Sequence, residues 1–134
     1  YCDDIVRFCD ANRERFTVAC TFDFSEHLYD SDFDRIYRAI HRSLRPGGRL
    51  YLYTPNGGFV VERMKRAHIL ASIPSHVAVR NARQYRALLL AAGFREIGIQ
   101  RAPHYTTLRW LHLFSVLPLV GDLFTARLFV TARR

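Results

Sequence analysis

The sequence predicts an α/β fold built around a strand–helix–strand unit whose two strands are parallel neighbours. Three observations carry that prediction. Phe16-Thr17-Val18-Ala19-Cys20-Thr21-Phe22 is aromatic, β-branched and small, without Gly or Pro, and reads as a buried strand. Phe33, Ile36, Tyr37, Ile40 and Leu44 recur at helical spacing, with Arg35, Arg38, Arg42 and Arg45 mostly on the other face. Pro46-Gly47-Gly48 then ends the helix, and Leu50-Tyr51-Leu52-Tyr53-Thr54 forms a second apolar run stopped by Pro55. A right-handed crossover makes the two strands parallel.

The remaining elements follow in order. Ile5, Phe8 and Cys9 lie at helical spacing behind Asp3-Asp4, so residues 5–14 read as a short helix with an acidic cap. Asp23 to Asp30 is a loop leaving the first strand, and Asp30, Ser31 and Asp32 are candidate N-caps. After Gly57-Gly58, the residues Val60, Val61, Met64, Ala67 and Leu70 describe an inward-facing helix, and 72–79 a loop around Pro74. Asn81 caps a helix with Tyr85, Leu88, Leu89 and Ala92 on one face, ended by Gly93. Phe94, Ile97 and Ile99 make a strand, and Leu123 to Ala132 the last one. Tyr51 and Tyr53 are expected in the core.

Length and composition set bounds. The 134 residues suit one domain, and 49% hydrophobic residues suit a globular core. The net charge of +8 comes from 20 basic against 12 acidic residues, nearly all the basic ones arginine. They are spread over polar helix faces, so no specific nucleic-acid partner is expected. Cys2, Cys9 and Cys20 are odd in number and lack paired spacing, which argues for reduced thiols in a cytoplasmic protein and against a zinc site. Leu108 to Val120 is almost wholly apolar, yet shorter than the ~20 residues of a membrane span. It reads as a helix packed on the sheet, with a lid over an apolar substrate or an interfacial anchor at Arg109 and Trp110 as the sharper readings.

Ser25-Glu26-His27-Leu28, then Leu44-Arg45-Pro46-Gly47-Gly48-Arg49-Leu50, then Thr54-Pro55-Asn56 occur in an order and spacing that resembles the second half of class I S-adenosylmethionine-dependent methyltransferases. The E-H-L, L-R-P-G-G and T-P-N pattern is similar to that of ubiquinone-biosynthesis O-methyltransferases. The likeness runs on through His76 and Ala91-Ala92-Gly93-Phe94. Thr17 stands where the family often has Asp, a departure from the pattern. The resemblance implies a Rossmann-like, mostly parallel sheet with helices on both faces and an antiparallel last strand between its two predecessors. It also implies that residues 1–134 are the C-terminal portion of the domain, N-terminally truncated. The first strands and the Gly-rich cofactor loop would then lie upstream, and the fragment would be inactive by itself.

The resemblance further implies S-adenosyl-L-methionine as cofactor and a small-molecule acceptor. The transferred methyl would go to oxygen, or with less support to nitrogen or carbon. Asp4, or Asp3, falls where the family's acid contacts the adenine amino group, and Phe22 and Asp23 fall beside it. Glu26, His27 and His76 are the candidate catalytic residues, and Asn56 and Trp110 the candidate substrate contacts. No metal is assigned. The donors for a divalent ion would be Asp23, Glu26, His27 and His76, because some relatives carry E-x-x-E-H here and RNA-methylating ones add a later His. The spacing of Asp23, Glu26 and His27 puts them on one face of a helical turn. The apolar 108–120 stretch favours a lipid or quinone precursor as acceptor and allows peripheral membrane contact. The alternatives are an inactive methyltransferase-like binding module and an RNA-directed methyltransferase.

Overall fold

The computed structural model describes residues 4–71, 73–104 and 107–134. Asp4 caps α1 (Ile5–Ala11), its carboxylate accepting from the backbone N–H groups of Val6 and Arg7 at 3.0 Å each. β1 (Phe16–Phe22) is followed by a single 3₁₀ turn at Ser25–His27, then α2 (Asp30–Ser43), β2 (Leu44–Pro55), α3 (Val60–Arg66), α4 (Ala82–Ala91), β3 (Arg95–Ala102) and β4 (Arg127–Arg133). The strands form one sheet in the order β1-β2-β4-β3. β1 and β2 are parallel, with Ala19 opposite Leu50 and Phe22 opposite Tyr53. β4 is antiparallel to both β2 and β3 and lies between them, as the resemblance implied.

The sequence explains where the core sits. Leu50 and Leu52 of β2 and Leu128 and Val130 of β4 alternate onto one face and meet Phe33, Tyr37 and Ile40 of α2 and Tyr85 and Leu89 of α4. Each of those side chains is essentially removed from water, which stabilises the fold by about 1.5–3 kcal/mol apiece before chain entropy is counted. Asn81 and Gln84 form a reciprocal capping box at the start of α4.

Several expectations are corrected by packing. β1 is not buried: it is the edge strand, and Val18 and Phe22 are exposed because they point away from α2. Tyr51 and Tyr53 are half-buried on that same outer face, Tyr51 stacked on Phe129 at 6.0 Å and Tyr53 beneath the Arg127 guanidinium at 4.4 Å. Asp30, Ser31 and Asp32 do not cap α2. Tyr29 is the N-cap residue, and Asp30 is drawn into an ion pair with Arg80. Pro46-Gly47-Gly48 ends no helix as a separate turn. The helix stops at Ser43, and the three residues form a bulge inside β2, where Gly47 takes φ +78°. α3 forms with Val60, Val61 and Met64 half-buried, but it ends at Arg66, so Ala67 and Leu70 fall outside it and are exposed. Leu108–Val120 does not pack on the sheet as an α-helix. It is 3₁₀ over Thr107–Val116 and stands largely exposed.

Candidate functional site

Because β1 and β2 are parallel, the loops that follow them leave at the same end of the sheet. That is where ligands bind in open α/β folds. Asp23, just past β1, takes a left-handed φ of +47°, a conformation that Asp tolerates better than most residues. Its backbone N–H still donates to the carbonyl of Tyr53 at 2.9 Å, so the two strand ends remain tied after the ladder stops. The turn at Ser25–His27 then folds back over β2.

Inside that turn is a buried polar network. The Thr54 hydroxyl donates to Glu26 Oε2 at 3.2 Å, and the Ser25 hydroxyl donates to Thr54 Oγ1 at 3.2 Å. The Tyr85 hydroxyl lies 2.8 Å from Ser25 Oγ and 2.9 Å from Thr54 Oγ1. Glu26 is only 1% exposed, and burial lifts its carboxyl above the ordinary glutamate value. Burial likewise lifts the Tyr85 phenol.

The second arm is the loop at residues 73–79. The Ala78 N–H donates to the Glu26 carbonyl at 3.1 Å. His27 Nδ1 is 2.7 Å from the Ser75 carbonyl, which can only accept, so Nδ1 carries a proton and the neutral ring has its lone pair on Nε2. The His76 ring meets His27 edge-on with centroids 5.1 Å apart. Burial, and after it the neighbouring His27, pushes His76 below the usual histidine value. One donor atom from each of Glu26, His27 and His76 lies within 4.8 Å of the others. A cavity of about 350 Å³ opens beside them, lined by Glu62, Lys65, Ile73, His76 and Val77.

The predicted site residues therefore separate. Glu26, His27 and His76 converge. Asp23 does not join them, because its carboxylate pairs with Arg127. The one-face arrangement of Asp23, Glu26 and His27 fails at that left-handed residue, which interrupts the helical turn. Phe22 is 59% exposed at the end of β1, facing the cleft's edge. Asp4 serves the N-terminus of α1, and Asp3 lies outside the described residues. Asn56 is buried and committed to structure. Its Nδ2 donates to the carbonyls of Thr125 at 2.8 Å and Asp122 at 3.3 Å and its Oδ1 accepts from the Gly58 N–H, so both of its N–H donors are already engaged within the fold. Trp110 is exposed on the 3₁₀ segment under the Arg109 guanidinium.

As for a metal, one carboxylate and two imidazoles suit a divalent ion of intermediate softness. The His27 Nδ1–H bond to a backbone carbonyl is the outer contact that fixes a ligating tautomer. The residues Glu26, His27 and His76 thus fit such an ion, and Asp23 does not.

Sequence reading missed Arg80. It is 3% exposed and donates to Asp30 at 2.6 and 2.9 Å and to the carbonyls of Ser25 at 2.9, Leu28 at 2.7 and Ala78 at 3.2 Å. It stitches both arms of the site together. Gly57 meets the same loop: its N–H donates to the Arg80 carbonyl, and a Cβ there would lie 2.5 Å from the Val79 carbonyl oxygen. Nothing but its place between an apolar loop and a helix cap distinguished Arg80 among so many arginines.

Comparison with known proteins agrees with this geometry. A family model described as a methyltransferase domain matches residues 2–97, and the chain belongs to that family. No curated protein matches it. Among solved structures, an S-adenosylmethionine-dependent methyltransferase from Archaeoglobus fulgidus is 13% identical, with a TM-score of 0.73 over 98% of this chain and 66% of that one. One from Mesorhizobium loti is 18% identical, with a TM-score of 0.59 over 91% of this chain and 63% of the other. Phosphoethanolamine N-methyltransferase 2 from Haemonchus contortus, solved with S-adenosyl-L-methionine, is 15% identical, with a TM-score of 0.59 over 91% of this chain and 34% of its own. These likenesses establish the fold as that of Rossmann-like methyltransferases. The chain spans under two thirds of the length of each.

Proposed function

We propose that this chain contributes the acceptor side of an S-adenosylmethionine-dependent methyltransferase that acts on an oxygen of a small, apolar molecule such as a lipid or quinone precursor. The observation that carries the reading is the convergence of Glu26, His27 and His76 where the parallel strands β1 and β2 release their loops. Phe22 and Asp23 are assigned to the adenosyl side of the cofactor.

Methyl transfer from a sulfonium is an in-line displacement by an already activated donor. Alignment of acceptor and methyl contributes about 7–11 kcal/mol of the barrier reduction. A hydroxyl acceptor must also lose its proton. His76, held neutral by burial, and His27, whose Nε2 lone pair is free of the Ser75 bond, are the groups that can take it. The Ser75 carbonyl orients His27, and Glu26, held by Thr54, places its carboxylate beside the pair. A divalent ion bound by Glu26, His27 and His76 would be the alternative to that base: the imidazole lone pairs would then be ligands, and the ion would supply a lower pKa for the hydroxyl.

Calorimetric titration of the protein with S-adenosylhomocysteine tests the cofactor, with binding expected and silence favouring a non-catalytic binding module. His76→Ala should lower turnover by roughly 10²–10⁴-fold while leaving that binding intact. The acid limb of the pH–rate profile should fall below the ordinary histidine value of 6.5, since a lowered pKa keeps the base form at lower pH. Turnover indifferent to H76A removes the base. Activity untouched by a chelator removes the metal, and RNA affinity that falls steeply with salt would revive an RNA substrate.

A further inference from the structure

We propose that the 108–120 ridge is a docking surface for an anionic lipid bilayer. Soluble proteins seldom expose a contiguous apolar stretch of this kind without a partner. Here Trp110 is 62% exposed, Leu113 66% and Val116 83%, and Leu119 is fully outside the protein surface. Leu119 also takes a left-handed φ of +69°, unusual for a branched side chain, so the turn holds it outward against its backbone preference.

The ridge is built to stay there. Its base is fastened to the sheet by Arg101, which donates to the Ser115 carbonyl at 2.8 Å and pairs with Asp122 at 3.0 Å. Phe114 packs on Phe124 with ring centroids 5.4 Å apart. The ridge follows β3, the strand at the opposite edge of the sheet from β1.

The occupant is argued from charge and ring chemistry. A groove beside Leu119 is lined by Arg63 and Arg83, together with Asp122, whose charge is taken up by Arg101, and Arg109 lies over the Trp110 ring with its guanidinium carbon 5.4 Å from the centroid. Apolar tips flanked by arginines and an indole match the boundary between acyl chains and anionic headgroups, where aromatic rings and arginine heads settle. A protein partner would have to match the apolar crest and supply acids for three separated arginines. A bilayer offers both at once. Among the described residues no helix is long and apolar enough to cross a membrane, so the contact is peripheral.

Trp110 is the single tryptophan of the chain, which makes the test direct. Its emission is followed while vesicles of phosphatidylcholine with phosphatidylglycerol are added, and again with brominated acyl chains. A blue shift and quenching by the brominated chains are expected with anionic vesicles, weaker with phosphatidylcholine alone and weakened further by salt. Leu113→Glu with Val116→Glu should abolish the shift. Arg63→Glu and Arg109→Glu should each lower the partition constant roughly fivefold or more. All four positions are exposed or at the rim, and circular dichroism checks that the variants fold. An unchanged spectrum with every vesicle overturns the proposal. A blue shift that instead grows with protein concentration in the absence of lipid, together with dimers in sedimentation, also overturns it and assigns the ridge to a second copy.

Discussion

Two regions at one end of the sheet break the usual rule of burial in opposite directions. The turn at Ser25–His27 buries a carboxylate and three hydroxyls. The ridge at 108–120, which follows β3 at the same end, puts tryptophan, leucine and valine into water. In the first region every polar group costs desolvation that only hydrogen bonds offset, so it has one arrangement and resists change. In the second, the outward side chains of Trp110, Leu113, Val116 and Leu119 bury little surface, so replacing them should cost the fold little. The polar turn is therefore fixed in one arrangement, while the freedom to bind something else resides in the apolar ridge.

Substitutions sharpen that contrast. Arg80→Ala should be the most damaging, costing about 3–5 kcal/mol in urea titration, because it strips three backbone carbonyls and Asp30 of their donor and opens a hole over Phe33. Leu52→Ala should cost about 2–5 kcal/mol as an ordinary core cavity. Tyr85→Phe removes one hydroxyl from the network and leaves Ser25 and Thr54 under-satisfied, for about 1–3 kcal/mol. Leu113→Glu should move stability by no more than about 0.5 kcal/mol. If L113E unfolded the chain as readily as R80A, the contrast between the two regions would disappear.

The pH dependence sharpens it further. The folded-state pKa of Glu26 is raised by burial above 4.5. The stability linked to its protonation is thus fully present below that ordinary value and is lost as pH rises through the folded pKa. Glu26→Gln should therefore be more stable than the parent near neutral pH, with the advantage vanishing below about 4.3. Chemical denaturation at several pH values reads this directly. A parent protein that is the more stable at neutral pH would mean that the carboxylate is better solvated than its burial implies.

How much of this was legible beforehand follows from the physics of each element. β1, β2, α2 and α4 were readable because their apolar periodicities are long and their signals local. The order β1-β2-β4-β3 followed from crossover handedness together with the resemblance. The convergence of Glu26 and His27 with His76 depended on motif order, since no periodicity links residues so far apart. What failed was whatever depends on tertiary competition. Asp23 looked like a companion of Glu26 until a left-handed backbone and Arg127 turned it away. Asn56 looked like a substrate contact, but a buried amide is worth more tying Thr125 and Gly58 together. The ridge looked like a packed helix because apolar composition says nothing about whether a surface remains to pack on.

The claim on which the rest depends is that the ends of β1 and β2 form the cofactor-side cleft. Backbone amide shifts of the protein, titrated with S-adenosylhomocysteine, test it residue by residue. The account predicts that the largest changes fall on Phe22–His27 and on Thr54–Gly58. Changes centred instead on the cavity between Arg49, Glu96 and Arg133 at the other end of the sheet, or no changes at all, would contradict it.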